Sequence, residues 1–414
     1  MKAKFLLILP LALFSSFLAK ATDICVNENG NGGCYTTISA AISAATNGDR
    51  IIINPKAGGA PYVENLVVNK TLQFLCAADT EKYYVQGSIS ITPALGRSIT
   101  FIGLKQVGNF GASTASPAGA RCVVNIMSSE ITGDVNFDFD NYNFTMAATV
   151  LNGGLGFRYG RVIGNLISAT MGFYGNYYSA VYQGNDATAT NDTNLVIGNR
   201  ITYNPNAPYY SAGIEFNSSS QFFYAANNLI TINGNSYAGN TCGIRIDQMK
   251  NSALSRDNIL NNTITSAFGV FSGIYFNTAP ANAYADVYNN LILTGTPSYG
   301  CVANANGTIG VSYTVSNQSF YNSIVNPTNI VNSGTTLDPT GRPNPGSDAI
   351  NGGSPDYSYY DVNLTVNDAG AFGGSLTLDN FFPINSSARV YMVTAPRRVN
   401  VSGTINIKAD ALDR

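Results

Sequence analysis

The clearest pattern in the chain is a short apolar phrase that returns at a fixed interval. Gly213-Ile214-Glu215-Phe216, Gly243-Ile244-Arg245-Ile246 and Gly273-Ile274-Tyr275-Phe276 follow one another at steps of 30 residues. A second phrase, Asn-x-Ile, occurs at Asn165-Leu166-Ile167, Asn199-Arg200-Ile201, Asn228-Leu229-Ile230, Asn262-Thr263-Ile264, Asn290-Leu291-Ile292 and Asn322-Ser323-Ile324. Its steps are 34, 29, 34, 28 and 32 residues. A common unit with loops of varying length produces that scatter.

Both phrases alternate apolar and polar residues, and almost no helical periodicity lies between them. Helical solenoids and leucine-rich repeats are thereby disfavoured. A coil of about 30 residues cannot bury its own apolar row, so Ile214, Ile244 and Ile274 must stack inward on one another. The expected fold class is all-β, a right-handed parallel β-helix. Asn suits the turn before each Ile phrase, because it tolerates a left-handed backbone and its amide can bond to the same amide one coil away.

One helix is predicted near the start. Thr37 to Thr46 (TISAAISAAT) places Ile38, Ala41, Ile42 and Ala45 on one face, and Asn47-Gly48-Asp49 ends it before a strand over Arg50 to Asn54. Such a helix would cover the open end of the stack. The segments YTTISAAISAATNGDRIIINP and YVENLVVNKTLQFLC, from Tyr35 to Cys76, resemble the opening of the pectin-lyase-like β-helix superfamily. The resemblance implies a fold and does not by itself imply an activity.

The chain ends shift the picture towards export. Lys2 and Lys4 precede the apolar run Phe5 to Leu18 and the small-residue site Ala19-Lys20-Ala21, which reads as a signal peptide over 1–21. A secreted location follows, whether extracellular, cell-surface or periplasmic, with no membrane span, since no segment reaches the roughly 20 apolar residues required. Cys25 lacks the preceding small residues of a lipoprotein site. The β-helix is assigned to 22–335. The Pro- and Gly-rich stretch Leu337 to Gly353 and Val366 to Gly374 resemble the closing segment of bacterial secreted β-helix proteins. A small β appendage follows from Ala388, so 336–414 forms the closing segment and appendage.

Of 414 residues only 11% are charged, and the net charge is −2. That leaves no electrostatic footprint for nucleic acid or anionic membrane, and neither is expected as a partner. Cys25 and Cys34 flank a Gly/Asn-rich loop that a disulfide could close. Cys76, Cys122, Cys242 and Cys301 lie in apolar runs, and any pairing among them is open. Histidine is absent, so no metal site of the structural zinc type is expected.

Absent histidine also conflicts with the polygalacturonase-like classes that the resemblance brings to mind. Pectin-methylesterase-like enzymes share the opening, and Tyr62-Val63-Glu64 echoes their early motif, but their later motifs are not recognisable. Pectate-lyase-like chemistry needs carboxylates to hold calcium and an Arg as base on neighbouring coils. With Ile214, Ile244 and Ile274 inward, alternation sends Glu215, Arg245 and Tyr275 outward in one stack and Asn217, Asp247 and Asn277 in the next. Glu215, Arg245 and Asp247 should then share a patch, either as a ligand site or as an ion-pair ladder on a wall. Tyr209, Tyr210, Tyr237, Phe271 and Tyr299 enter these strands and offer an aromatic lip suited to sugar rings.

Asp134, Asp138 and Asp140 alternate with Val135, Phe137 and Phe139, so all three should leave one strand on its outer face, as a calcium site or a solvated wall. The sequence favours a non-catalytic secreted or cell-surface β-helix that binds a polysaccharide or a surface protein, or serves as a scaffold, with no cofactor required. The alternative is a calcium-assisted polysaccharide lyase acting on acidic glycans.

Overall fold

The computed structural model describes residues 21–170, 178–206, 210–234, 238–252, 257–304, 309–321, 324–384, 389–394 and 406–412. The expected signal peptide therefore lies outside the described residues, apart from Ala21. Three parallel sheets of 13, 11 and 10 strands run the length of the molecule, and each strand pairs with the equivalent strand one coil away. The chain visits the three sheets in turn. This is a right-handed parallel β-helix, closed at its start by a helix and followed by a short antiparallel pair, Arg389–Thr394 with Lys408–Leu412.

The inward rows form one continuous core. Ile214, Ile244 and Ile274 are direct cross-strand partners and fully buried. The two sequence phrases meet there, because a side chain at Gly213, Gly243 or Gly273 would collide with Ile230, Ile264 or Ile292, at 2.5, 2.4 and 2.5 Å respectively. Glycine leaves the volume that the next Asn-x-Ile isoleucine fills. Aromatic rings continue the stacking, with Phe74 on Phe101 at 4.4 Å and Phe216 on Phe223 at 4.7 Å between ring centroids.

The helix Ile38–Ala44 buries Ile38, Ala41 and Ile42 against the first coils. Both ends are held by the following coil. Glu64 accepts hydrogen bonds from the Ile38 and Ser39 amides at 2.9 Å each. Lys70 Nζ donates to the Ile42, Ser43 and Ala45 carbonyls at 2.8, 2.8 and 2.6 Å. Opposite charges thus meet the two helix ends that leave backbone groups unpaired. The Glu64 of the Tyr62-Val63-Glu64 segment is a helix cap here. Cys25 and Cys34 are joined in a disulfide, and Cys76, Cys122, Cys242 and Cys301 are buried free thiols.

Between the first and second strands of each coil the chain turns in two residues, in eight consecutive coils from Ser128-Ser129 to Tyr313-Thr314. The first residue of each pair is left-handed: Ser128, Ala148, Gly164, Gly198, Asn227, Asn261, Asn289 and Tyr313, with φ from 49° to 66°. The second points inward and carries the ladder. Asn199 Oδ1 accepts from the Asn165 amide and side chain, both at 2.9 Å, and Asn228, Asn262 and Asn290 repeat the arrangement. The phrase asparagine therefore forms the ladder, while its predecessor takes the left-handed backbone. Asn322 lies outside the described residues, and Ile324 joins the 13-stranded sheet, so the sixth phrase is out of register; Asn329 continues the ladder through the Thr314 amide at 2.9 Å.

The closing segment runs back along this corner. Asn227 Nδ2 donates to the Ala371 and Gly373 carbonyls at 3.0 and 2.7 Å, and Asn261 Nδ2 to Asn367 Oδ1 at 2.9 Å. Phe381 sits where Gly164 and Gly198 have no side chain. With Tyr391 it covers an outward apolar stripe of the 13-stranded sheet that includes Met127, Ile163, Ile197 and Leu260. An ion pair of 2.6 Å between Arg161 and Asp410 holds the terminal strand pair to the same sheet.

Candidate functional site

The strands Ser211–Asn217, Thr241–Gln248 and Ser272–Phe276 are neighbours in the 10-stranded sheet, and Glu215, Arg245 and Tyr275 are direct partners. The register slips after Phe216, where Asn217 pairs with Gln248. Asp247 is the extra residue of that irregularity, so it leaves the expected stack with Asn217. Its carboxylate swings back to Arg245, whose Nη2 donates to Asp247 Oδ1 at 2.5 Å. Asn277 Nδ2 reaches the same oxygen at 2.9 Å, whereas Asn217 turns to the Tyr182 hydroxyl at 3.2 Å.

Glu215 does not share the exposed patch expected of it. It is 7% exposed and receives the Ser179 hydroxyl, which in turn accepts from the Ala212 amide at 2.9 Å. Burial pushes its carboxyl above the ordinary range, against the pull of the Ser179 hydrogen bond and the Arg245 charge. The physical reason for its burial is the packing of the segment carrying Ser179, which alternation along a single strand cannot reveal.

Arg245 and the aromatic residues do come together. Tyr210, Arg245, Phe271, Tyr275, Asn277 and Tyr299 line a pocket of about 390 Å³. Phe271 is the centre of the aromatic group, with Tyr210, Tyr275 and Tyr299 at 5.1, 4.9 and 4.6 Å between ring centroids. Tyr321, which no repeat phrase marks, extends the group edge-on to Tyr299 at 5.7 Å. The Arg245 guanidinium lies 5.5 Å from the Tyr210 ring centre, a cation–π distance. Burial opposes its charge, but the hydrogen bond to Asp247 and the nearby carboxylates outweigh burial and raise its pKa. Tyr210 and Tyr299 are exposed at the rim. Tyr209 and Tyr237 lie outside the described residues.

The earlier acidic cluster is not an open strand face. The strand Val135–Phe137 ends before Asp138, and Arg158 bridges Asp138 and Asp140 at 3.0 and 2.8 Å. Asp134 Oδ1 accepts from the Gly154 amide at 2.8 Å. Among the described residues no group of three His, Cys, Asp or Glu side chains could hold a metal ion, and no helix is long and apolar enough to cross a membrane.

These features define the class, a parallel β-helix with an aromatic pocket on one sheet. Comparison with family models, curated proteins and solved structures gives no match to this chain.

Proposed function

We propose that this protein is an exported, non-catalytic β-helix that binds glycans at the Tyr210–Arg245–Tyr299 pocket. The observation that carries the reading is the combination of exposed tyrosine rings with a fixed hydrogen-bonding floor. Rings offer the flat amphipathic surface that sugar C–H faces need, and Arg245, Asp247 and Asn277 supply directed polar groups beside them. The floor is pre-organised by its own bonds, which reduces the ordering cost of binding. Kinship with the pectin-lyase-like superfamily belongs to the same proposal and rests on the opening segment from Tyr35 to Cys76.

The lyase alternative asks Arg245 to act as a base and carboxylates to hold calcium. A raised pKa on an arginine paired with Asp247 opposes the first role. Asp247 is engaged by Arg245 and Asn277, and Glu215 by Ser179, so the donor set does not fit calcium. The test is a binding screen of the chain from Thr22 against acidic and neutral polysaccharides, with ultraviolet absorbance recorded for unsaturated products. Binding without absorbance is expected, and an absorbance rise that needs Arg245 would overturn the reading.

A further inference from the structure

The recurrent Asn-x-Ile phrase carries a further regularity, because threonine follows the isoleucine at Ile201-Thr202, Ile230-Thr231 and Ile264-Thr265. These threonines are cross-strand partners on three adjacent coils of the 11-stranded sheet. They are half-buried, while the isoleucines beside them fill the core. Coil spacing of about 4.8 Å sets three hydroxyls in a line on the outer face. The Thr265 hydroxyl is 3.4 Å from that of Thr231, and among the described residues the Thr202 hydroxyl has no partner.

A wall stands beside this row. The loop 337–341 of the closing segment rests on Leu229 and encloses, with the threonines, Leu166 and Arg200, a pocket of about 440 Å³. The loop is held by hydrogen bonds. Asp338 Oδ1 accepts from the Thr340 amide, the Thr340 hydroxyl and the Arg342 amide at 2.8, 2.7 and 3.0 Å. Arg200 Nη1 donates to the Thr340 carbonyl at 2.9 Å. Among the described residues all hydrogen bonds to the Asp338 carboxylate end on Oδ1, which leaves Oδ2 without one, and Leu166 is 39% exposed.

We infer that this pocket is a second binding site, separate from the one around Arg245, and that it takes an uncharged oligosaccharide. Charge supports the choice, since Arg200 and Arg342 are balanced by Asp338 and Asp379, the last paired with Arg342 at 2.6 Å. A charged ligand would find no net field to attract it. A sugar ring offers hydroxyls to the threonine row and the free Asp338 oxygen, and an apolar face to the exposed Leu166. The site lies on a different sheet from the aromatic pocket, so one molecule can hold two glycan chains at once.

Isothermal titration of the chain from Thr22 with the tetrasaccharides of β-1,4-linked glucose, mannose and galactose tests this. The triple variant Thr202→Val, Thr231→Val, Thr265→Val keeps β-branched side chains suited to strands and exchanges each hydroxyl for a methyl group; Thr231→Val alone serves if the triple variant does not fold. At least one probe should bind, with a roughly tenfold or larger loss in the triple variant, as expected for lost hydrogen bonds. Tyr299→Ala should leave that binding within about twofold, a change too small to count as a lost contact. Failure of every probe to bind, or binding that survives the threonine changes, overturns the second site. Binding lost in Tyr299→Ala and kept in the threonine variants overturns it while leaving the aromatic pocket as the glycan site.

Discussion

Two corners of the same coil behave in opposite ways. The corner between the first and second strands turns in two residues, coil after coil, from Ser128 to Thr314. The corner between the second and third strands ranges from two residues, as between Thr132 and Val135, to eleven, between Ala169 and Val181. Fixed length lets one residue type stack on its own copies, and the buried Asn ladder results. Variable length lets side chains arrive from outside the repeat, and Ser179, Tyr210 and Tyr299 do so. The constant corner holds the fold together, and the variable one builds the aromatic pocket.

The contrast can be broken most severely at the inward row that both corners serve. Ile244→Asp should prevent folding, because an unpaired buried charge costs several kcal/mol or more; circular dichroism of the purified protein should show no native signal. The tight corner comes next. Asn228 accepts from the Asn199 amide and side chain and donates to Val196 and Asn262, so Asn228→Ala strands several buried groups. A loss of about 3 kcal/mol or more in denaturant unfolding is expected. Phe381→Ala, which removes the ring seated over Gly164 and Gly198, should cost about 3 kcal/mol by the same measurement.

Asp257 offers a pH test on the first sheet. It is buried, accepts from the Phe223 amide at 2.9 Å, and burial raises its pKa to about 8, opposed by that bond and by Lys250. The folded protein therefore holds a proton that the unfolded chain releases near its ordinary value of 3.8. Stability from this group is full below that ordinary value and is lost as pH rises towards the folded pKa. The melting temperature should fall between pH 5 and pH 8 in the native protein and fall less in Asp257→Asn. The smallest structural effect belongs to the open corner. Tyr299→Ala at the pocket rim should leave unfolding within about 0.5 kcal/mol of the native protein, as for other surface changes. The same variant should weaken glycan binding roughly tenfold where the aromatic pocket is the site used. A large stability loss there would show that the lip is part of the fold.

Much of the architecture was legible because contacts in a solenoid join residues at nearly constant separation. The 30-residue step placed Ile214, Ile244 and Ile274 in one row, and the same step put Arg245 beside Tyr275. The helix over Ile38–Ala44 was legible from its own apolar face. Within the candidate site the strand register was readable, but the slip at Asp247 and the burial of Glu215 were not, since both depend on a bulge and on a neighbour from a long connection.

Sequence alone therefore determined the elements and their stacking, whose physical cause is repetition: a side chain that packs on its copy one coil away leaves a period in the chain. Tertiary structure alone decided where the closing segment goes. Asn227 meets Ala371 across 144 residues, Asn261 meets Asn367 across 106 and Arg161 meets Asp410 across 249, so no constant separation marks these contacts in the chain. Such pairings are chosen by the shape and unpaired polar groups of a surface that exists only once the coils have stacked.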